Sequence, residues 1–317
     1  MSTTGITAAD SRAAAAQPRR RWHWRRDWQL WVLLAPAIVF TAVFAYVPMY
    51  GIQLAFREFD FSKGLTGGKW VGLKYLAQFL ATPNFWPMIR NTILIAGTTV
   101  LVGFIAPVLL ALLINQIAHA RAKRLTQTIT YLPQFISVVV VVGMLQVFLS
   151  PSTGLITKIA TGLGMENVNF LGSAAAFVPV YVISDVWQHC GWNSIIYLAA
   201  LSGVDPQLYE AAKIDGASRW RTIFHVDIPA LIPTMTVLFI LNMGGVLNTG
   251  FDKIFLMQNT LNLSISEVIA TYVYKIGIVS NQFSYSTAIG LFSTLINFGF
   301  LAVTNALAKK FANISLW

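Results

Sequence analysis

No Asp, Glu, Lys or Arg occurs between Asp27 and Arg57, between Arg90 and Arg121, or between Arg124 and Lys158. A helix rises about 1.5 Å per residue, so about 20 apolar residues cross the hydrocarbon of a bilayer. Each of these windows is longer than that, and a chain of 317 residues has no soluble core in which to hide all three. They fix the class as a polytopic, all-α membrane protein. Composition agrees, with 56% hydrophobic and 11% charged residues, where soluble domains carry about a quarter charged. The hydropathy pattern predicts six transmembrane helices, at about 30–53, 91–118, 127–149, 175–202, 230–250 and 284–308. The fourth contains an ionisable residue, Asp185.

Six spans put both termini on one side. The N-terminus, the loop 119–126, the loop around 213–221 and the C-terminus carry six, three, three and two Lys or Arg residues. The opposite loops carry five, one and two. The excess places both termini in the cytoplasm. Arg19-Arg-Arg-Trp-His-Trp-Arg-Arg26 reads as a basic cytoplasmic segment (1–28) lying on an anionic membrane surface, ahead of a permease domain at 29–317. The competing reading, a cleaved signal peptide, lacks a small-x-small site after the apolar run. The net charge of +10 is thus membrane-facing and does not point to nucleic acid. A single cysteine, Cys190, excludes an internal disulfide.

One late loop is polar. Asp205-Pro206 is a helix start, with a capping carboxylate and a ring suited to the first turn. The pattern predicts a helix over 206–215, a stop at Gly216, and a second short helix from the cap Ser218 to about Val226, ended by Pro229. Leu208, Ala211, Ala212 and Asp215 share one small, nearly flat face, suited to insertion into another protein's groove.

Glu210-Ala-Ala212, Gly216 and Val226-Asp-Ile-Pro229 resemble the EAA loop of binding-protein-dependent ABC importer permeases, with Val226 where that family usually has Ile. Trp70-Val-Gly-Leu-Lys-Tyr75, Phe79, Phe85-Trp86 and Asn91-Thr92 resemble the stretch before the second span of the carbohydrate branch. There Lys74 stands where Asp or Glu is common. Tyr131 to Val138 and Ser152 to Ile156 are similar to the branch importing oligosaccharides and polysaccharide fragments, and most of all to permeases of alginate-oligosaccharide importers. No residue in these stretches identifies a uronate. The resemblance covers about 30–310. It implies a type I ABC importer permease in a bacterial inner membrane, paired with a second homologous permease, two ATPase subunits that bind ATP and Mg, and an extracytoplasmic solute-binding protein. It further implies that Glu210, Ala211, Ala212, Asp215, Gly216, Ala217 and Pro229 couple this chain to an ATPase. Within that set Glu210 meets a basic group, the alanines allow close approach and Asp215 caps or braces the loop.

The chain lacks G-x-x-x-x-G-K-[ST], since Gly67-Gly68-Lys69 is followed by Trp70, so no phosphate cradle is expected. Its four histidines are scattered and suggest neither a metal site nor a nucleophile. The reading is a transport subunit, not an enzyme, without cofactors of its own. Candidates for the cargo pathway are Asp185, Trp187, His189, Trp192, Asn193 and Tyr197 on the fourth span, with Asn242 and Asn248 at the fifth and Asn262 beyond it. They supply hydrogen bonds and aromatic faces for an oligosaccharide, although packing and interface anchoring use the same residue types. Asp185 and His189, at i and i+4, would also serve a proton-coupled secondary transporter, the competing mechanism. A polyol or glycerol phosphate is the competing cargo. Leu155, Ile156, Ile159 and Leu163 predict an outer amphipathic helix within 150–174 that meets the binding protein.

Overall fold

The computed structural model describes residues 28–65, 67–165, 169–248, 250–312 and 314–316. The basic N-terminal segment expected at 1–28 therefore lies outside the described residues, except Trp28. In chain order the helices are α1 (Trp28–Phe56), α2 (Lys74–Leu80), α3 (Phe85–Asn115), α4 (Ala120–Phe135), α5 (Val138–Phe148), α6 (Leu155–Gly162) and α7 (Ala174–Ser202). They continue with α8 (Pro206–Ile214), α9 (Arg219–Met243), α10 (Phe251–Met257), α11 (Leu263–Ser266), α12 (Ile269–Val279) and α13 (Phe283–Ala312). Among the described residues there is no strand, only isolated bridges at Arg57–Trp70 and Asp60–Gly64.

Four of these helices, α1, α3, α9 and α13, are long and apolar enough to cross a membrane, and α4 with α5 would make a fifth. Helix α7 has the length, at 29 residues, but carries Asp185, Gln188, His189 and Asn193. A count of six is compatible with this set. The expected continuous span at 127–149 is corrected. The chain bends by 94° between α4 and α5. Leu132–Phe135 tightens into a 3-10 turn around Pro133, and Ser137 restarts a helix by accepting a hydrogen bond from Val140 N–H. A proline has no N–H to give and its ring clashes with the preceding turn, so the polar Tyr131–Ser137 stretch breaks.

Two other prolines sit inside continuous helices by one device. In α1 a π turn, Ala42–Tyr46, closes with Val47 N–H to Ala42 O, and Pro48 follows. In α9 a π turn, Ile223–Asp227, closes with Ile228 N–H to Ile223 O, and Pro229 follows. Widening the turn moves aside the carbonyl that the ring would strike. Pro229 therefore does not end a short helix, as the sequence pattern suggested, and residues 219–243 form one helix.

The described residues separate into two compact units on either side of Gly51 and Ile52. In the second, α3 lies along α7 in the most extensive helix pairing. One core cluster at this pairing joins Ile95, Phe177, Tyr181 and Val182 to Ile254, Met257 and Val268. Another joins Val108, Ala111 and Leu112 to Tyr197, Leu201, Ile223 and Leu231. Helix α9 packs on α7 and α13, and α4 packs on α7. At Gly191 an added Cβ would stand 1.9 Å from the Thr130 carbonyl oxygen, so the absence of a side chain is what allows α4 to approach.

Candidate coupling loop and buried polar site

The loop 205–229 folds as its residue types dictate. The Asp205 carboxylate accepts from Gln207 N–H at 2.9 Å and starts α8. The helix ends in a Schellman closure. Ala217 N–H donates to Ala212 O at 2.9 Å and Gly216 N–H to Lys213 O at 3.2 Å, with Gly216 at φ +68°. That backbone conformation is open to glycine and costs other residues. Ser218 caps α9 by accepting from Arg221 N–H. Glu210, Ala211 and Asp215 are exposed, and Ala212 and Ala217 are half-buried. Among the described residues no hydrogen bond holds the Asp215 side chain, so it closes α8 through its backbone. Leu208, Ile214 and Trp220 are exposed too, Ile214 at 86%. The loop thus presents an apolar surface beside an acid, uncovered by the described parts of the chain.

Behind this surface lies a polar node that the motif did not announce. Asp227 is fully buried. Its Oδ1 accepts from the Tyr209 hydroxyl of α8 at 2.7 Å, and its Oδ2 from Gln116 Nε2, just beyond α3, at 3.1 Å. Among the described residues no cationic side chain pairs with it. Burial, then the bond to Asp227, pushes the Tyr209 phenol up to about 12, which keeps it a donor. A cavity of about 600 Å³ opens alongside, lined by Gln116, Leu201, Tyr209, Lys213, Arg219 and others.

The second site is on α7. His189 Nδ1 lies 2.9 Å from the Asp185 carbonyl and 3.3 Å from its Oδ1. Both neighbours are acceptors, so Nδ1 carries the proton. Lys253 of α10, 1% exposed, places Nζ 3.5 Å from the same Oδ1 and 5.3 Å from the Tyr181 ring centre. Its ammonium and the Tyr181 hydroxyl are buried without hydrogen bonds. These groups line a cavity of about 370 Å³ with Val138, Gly250, Phe251 and Asp252. Of the other pathway candidates, Trp187 and Asn193 are exposed, as is Trp192, which stacks edge-on against Phe135. Tyr197 is packed in the core, and Asn242 is exposed at the end of α9. Asn262 is buried, holding the Leu171 and Met257 carbonyls. The Asn248 side chain lies outside the described residues. Among the described residues no cluster of metal-ligating side chains occurs.

Sequence reasoning missed Lys253 and Asp227, although each left a signal. Lys253 stands four residues before Met257, and Asp227 midway between Ile223 and Leu231. Each is a charge on its helix's apolar face.

Membrane-length helices, an exposed two-helix loop and a buried polar cavity between helices define a class, the polytopic transport permease. Comparison with known proteins makes this specific. Residues 103–313 match the family of binding-protein-dependent transport system inner membrane components. The chain belongs to that family. It is 40% identical over 287 residues to Protein LplB of Bacillus subtilis, covering 90% of each chain. It is 39% identical to the polygalacturonan/rhamnogalacturonan transport system permease protein YteP of the same organism, covering 91% of this chain and 90% of that one. A solved bacterial alginate ABC transporter, in complex with its alginate pentasaccharide-bound periplasmic protein, contains a chain superposing with TM-score 0.85. It is 34% identical and covers 92% of this chain and 98% of that chain. The resemblance to sugar ABC importer permeases read from the sequence is borne out, and the protein is a membrane-spanning permease subunit.

Proposed function

We propose that this chain forms half of the translocation pathway of an oligosaccharide importer, that its cargo contains uronate units, and that the loop 205–229 couples it to a separate ATPase. The observation that carries the coupling is the loop itself. Its Schellman-closed α8 and the start of α9 offer Leu208, Ile214 and Trp220 to a partner, with Glu210 beside them as an acceptor for an arginine fork. Ala211, Ala212 and Ala217 keep that surface low. A second homologous permease engages the other half of an ATPase dimer, and the ATPases hold the ATP and Mg. Both termini and the loop face the cytoplasm, residues 1–28 rest on the membrane surface and 29–317 form the permease. On the opposite side α6 leaves Leu155, Ile156, Ile159 and Leu163 exposed, an apolar face for the binding protein.

The acidic cargo is supported by the two relatives whose names specify uronate polymers. Within the pathway, the cavity of Asp185, His189 and Lys253 supplies charged donors and acceptors to sugar oxygens, and Phe251 an aromatic face. Trp192 and Asn193 extend it along α7.

The test is ATP hydrolysis by the complete complex, co-purified through this chain and reconstituted with its binding protein, against neutral and uronic oligosaccharides. Uronic oligosaccharides stimulate hydrolysis, and Glu210→Lys abolishes the stimulation while the amount of chain in the membrane is unchanged. Absence of a co-purifying ATPase, or full stimulation in Glu210→Lys, overturns the coupling; stimulation by neutral sugars alone overturns the cargo.

A further inference from the structure

We propose that Asp227 is the joint that transmits motion from the coupling helix to the membrane spans, with Tyr209 and Gln116 as its two links; this rests on the coupling reading above. Three elements meet at one buried carboxylate. Tyr209 belongs to α8, the helix proposed to dock on the ATPase. Asp227 is the last residue of the π turn in α9, and Gln116 immediately follows α3. Displacement of α8 therefore reaches α9 through the first bond and α3 through the second.

Three features favour a joint over a passive brace. First, the acid is fully buried and held by neutral donors only, at 2.7 and 3.1 Å. A buried carboxylate deprived of a donor is penalised heavily, so each link strongly resists being pulled apart. Second, the surroundings are not packed solid. The cavity of about 600 Å³ between the α3 end, the α7 end and the loop leaves α8 room to move, so directional bonds rather than close packing connect it to α3. Third, the π turn sits at the joint. The widened turn that Pro229 imposes sets Asp227 where α9 departs from regular α geometry. The residues that would make a rigid corner, a cationic partner and filled space, are absent among those described.

Links in series behave differently from independent stabilisers. Tyr209→Phe removes one hydroxyl and keeps the ring. Gln116→Met keeps the chain length and removes the amide. Each cuts one link, and because transmission to α3 by way of Asp227 needs both, the double variant is no worse than the poorer single. Bonds with a merely structural role would lower the thermal midpoint of the complex and leave the sugar imported per ATP unchanged. Asp227→Asn is the conservative control. Its amide still accepts from Tyr209, and Gln116 rotates its own amide to accept from the new NH2 group, so both links persist in neutral form.

The experiment uses the full complex in proteoliposomes with its binding protein and a uronate trisaccharide. Readouts are retained ATPase subunit, basal hydrolysis and sugar imported per ATP. For Tyr209→Phe and Gln116→Met the ATPase stays bound and hydrolysis continues, while sugar per ATP falls about tenfold, the factor expected for losing one bond to a charged group. The double variant matches the worse single, and Asp227→Asn retains more than half of the wild-type ratio. An unchanged ratio in both singles, or additive losses in the double, overturns the joint. Should Glu210→Lys and both link variants all behave as wild type, the coupling reading itself fails; if only the link variants do, it stands and the joint alone is wrong.

Discussion

Substitutions at Gly216 separate backbone strain from crowding. Its φ is +68°, and a Cβ built there has nothing within 4 Å, so the first side-chain atom meets open space. The cost is conformational alone. Placing an L-residue in the left-handed region costs about 1–2 kcal/mol for alanine, which lowers the population of the closed loop roughly 5- to 30-fold. A β-branched residue fares worse, while asparagine visits this region readily and costs less. The expected order of cargo-stimulated ATP hydrolysis in the reconstituted complex is Gly216, then Gly216→Asn, then Gly216→Ala, then Gly216→Val. Valine abolishes stimulation with membrane insertion intact. Hydrogen exchange at Ala217, whose N–H closes the turn onto Ala212, should accelerate in the same order. Crowding against the ATPase predicts another order, because asparagine is larger than alanine. An alanine variant outperforming the asparagine variant would refute the backbone argument.

Two further substitutions test the membrane-embedded half. Lys253→Met strands the Asp185 carboxylate, only 20% exposed, and should cost about 3 kcal/mol, the lower end for breaking a buried pair because His189 remains beside it. The midpoint of thermal unfolding in detergent, followed by tryptophan fluorescence, should recover by at least half in the double Asp185→Asn/Lys253→Met variant; no recovery would mean that the ion pair is not the cause. Gly191→Ala normally helps a helix by up to about 1 kcal/mol. Here the new Cβ meets the Thr130 backbone carbonyl, which has no rotamer to yield, so the sign reverses to a loss of about 1–3 kcal/mol, seen as a lower midpoint and less monodisperse protein.

How far the sequence carried the fold depended on whether a feature was local. The hydropathy pattern located α3, α7 and α13 to within a turn or two, because crossing a bilayer constrains length and composition directly. The caps at Asp205, Gly216 and Ser218 were equally legible, since each satisfies free backbone groups within a turn of itself. The break between α4 and α5 was missed because Val138–Phe148 is so apolar that the window hid Pro133. Pro229 misled in the opposite direction: a proline is read as a stop unless a widened turn precedes it, and that turn is a property of the folded chain. At the sites, Asp185 and His189 announced each other by helical spacing. Lys253 did not, because its partner lies 68 positions earlier and only tertiary packing brings them together. Tyr209, Gln116 and Asp227 were unreadable as a group for the same reason.

The loop 205–229 directly joins α7, which holds Asp185, to α9, whose far end leads to Lys253. Asp185 lies 17 residues before the end of α7, about 25 Å along its axis. Asp227 lies 16 residues before the end of α9, about 24 Å along that one. The two nodes therefore stand apart: Asp185 lies near the middle of α7 and pairs with Lys253 of α10, whereas Asp227 lies in the first half of α9 and binds Tyr209 of α8 and Gln116 beyond α3. Among the described residues Asp227 and Lys253 are the charged side chains that are buried, and each connects elements through directional bonds rather than apolar contact. Apolar contacts between helices in lipid are tolerant of sliding, since no water is released when they form. Charged hydrogen bonds are not, because every displacement changes their length and the penalty of a stranded charge is large. On the coupling and cargo path proposed above, such fixed points would stand where a helix is pushed and where cargo is held. The ion pair ties α7 to α10 and the Asp227 node ties α8 and α9 to the end of α3, so both joins rest on bonds that do not tolerate sliding.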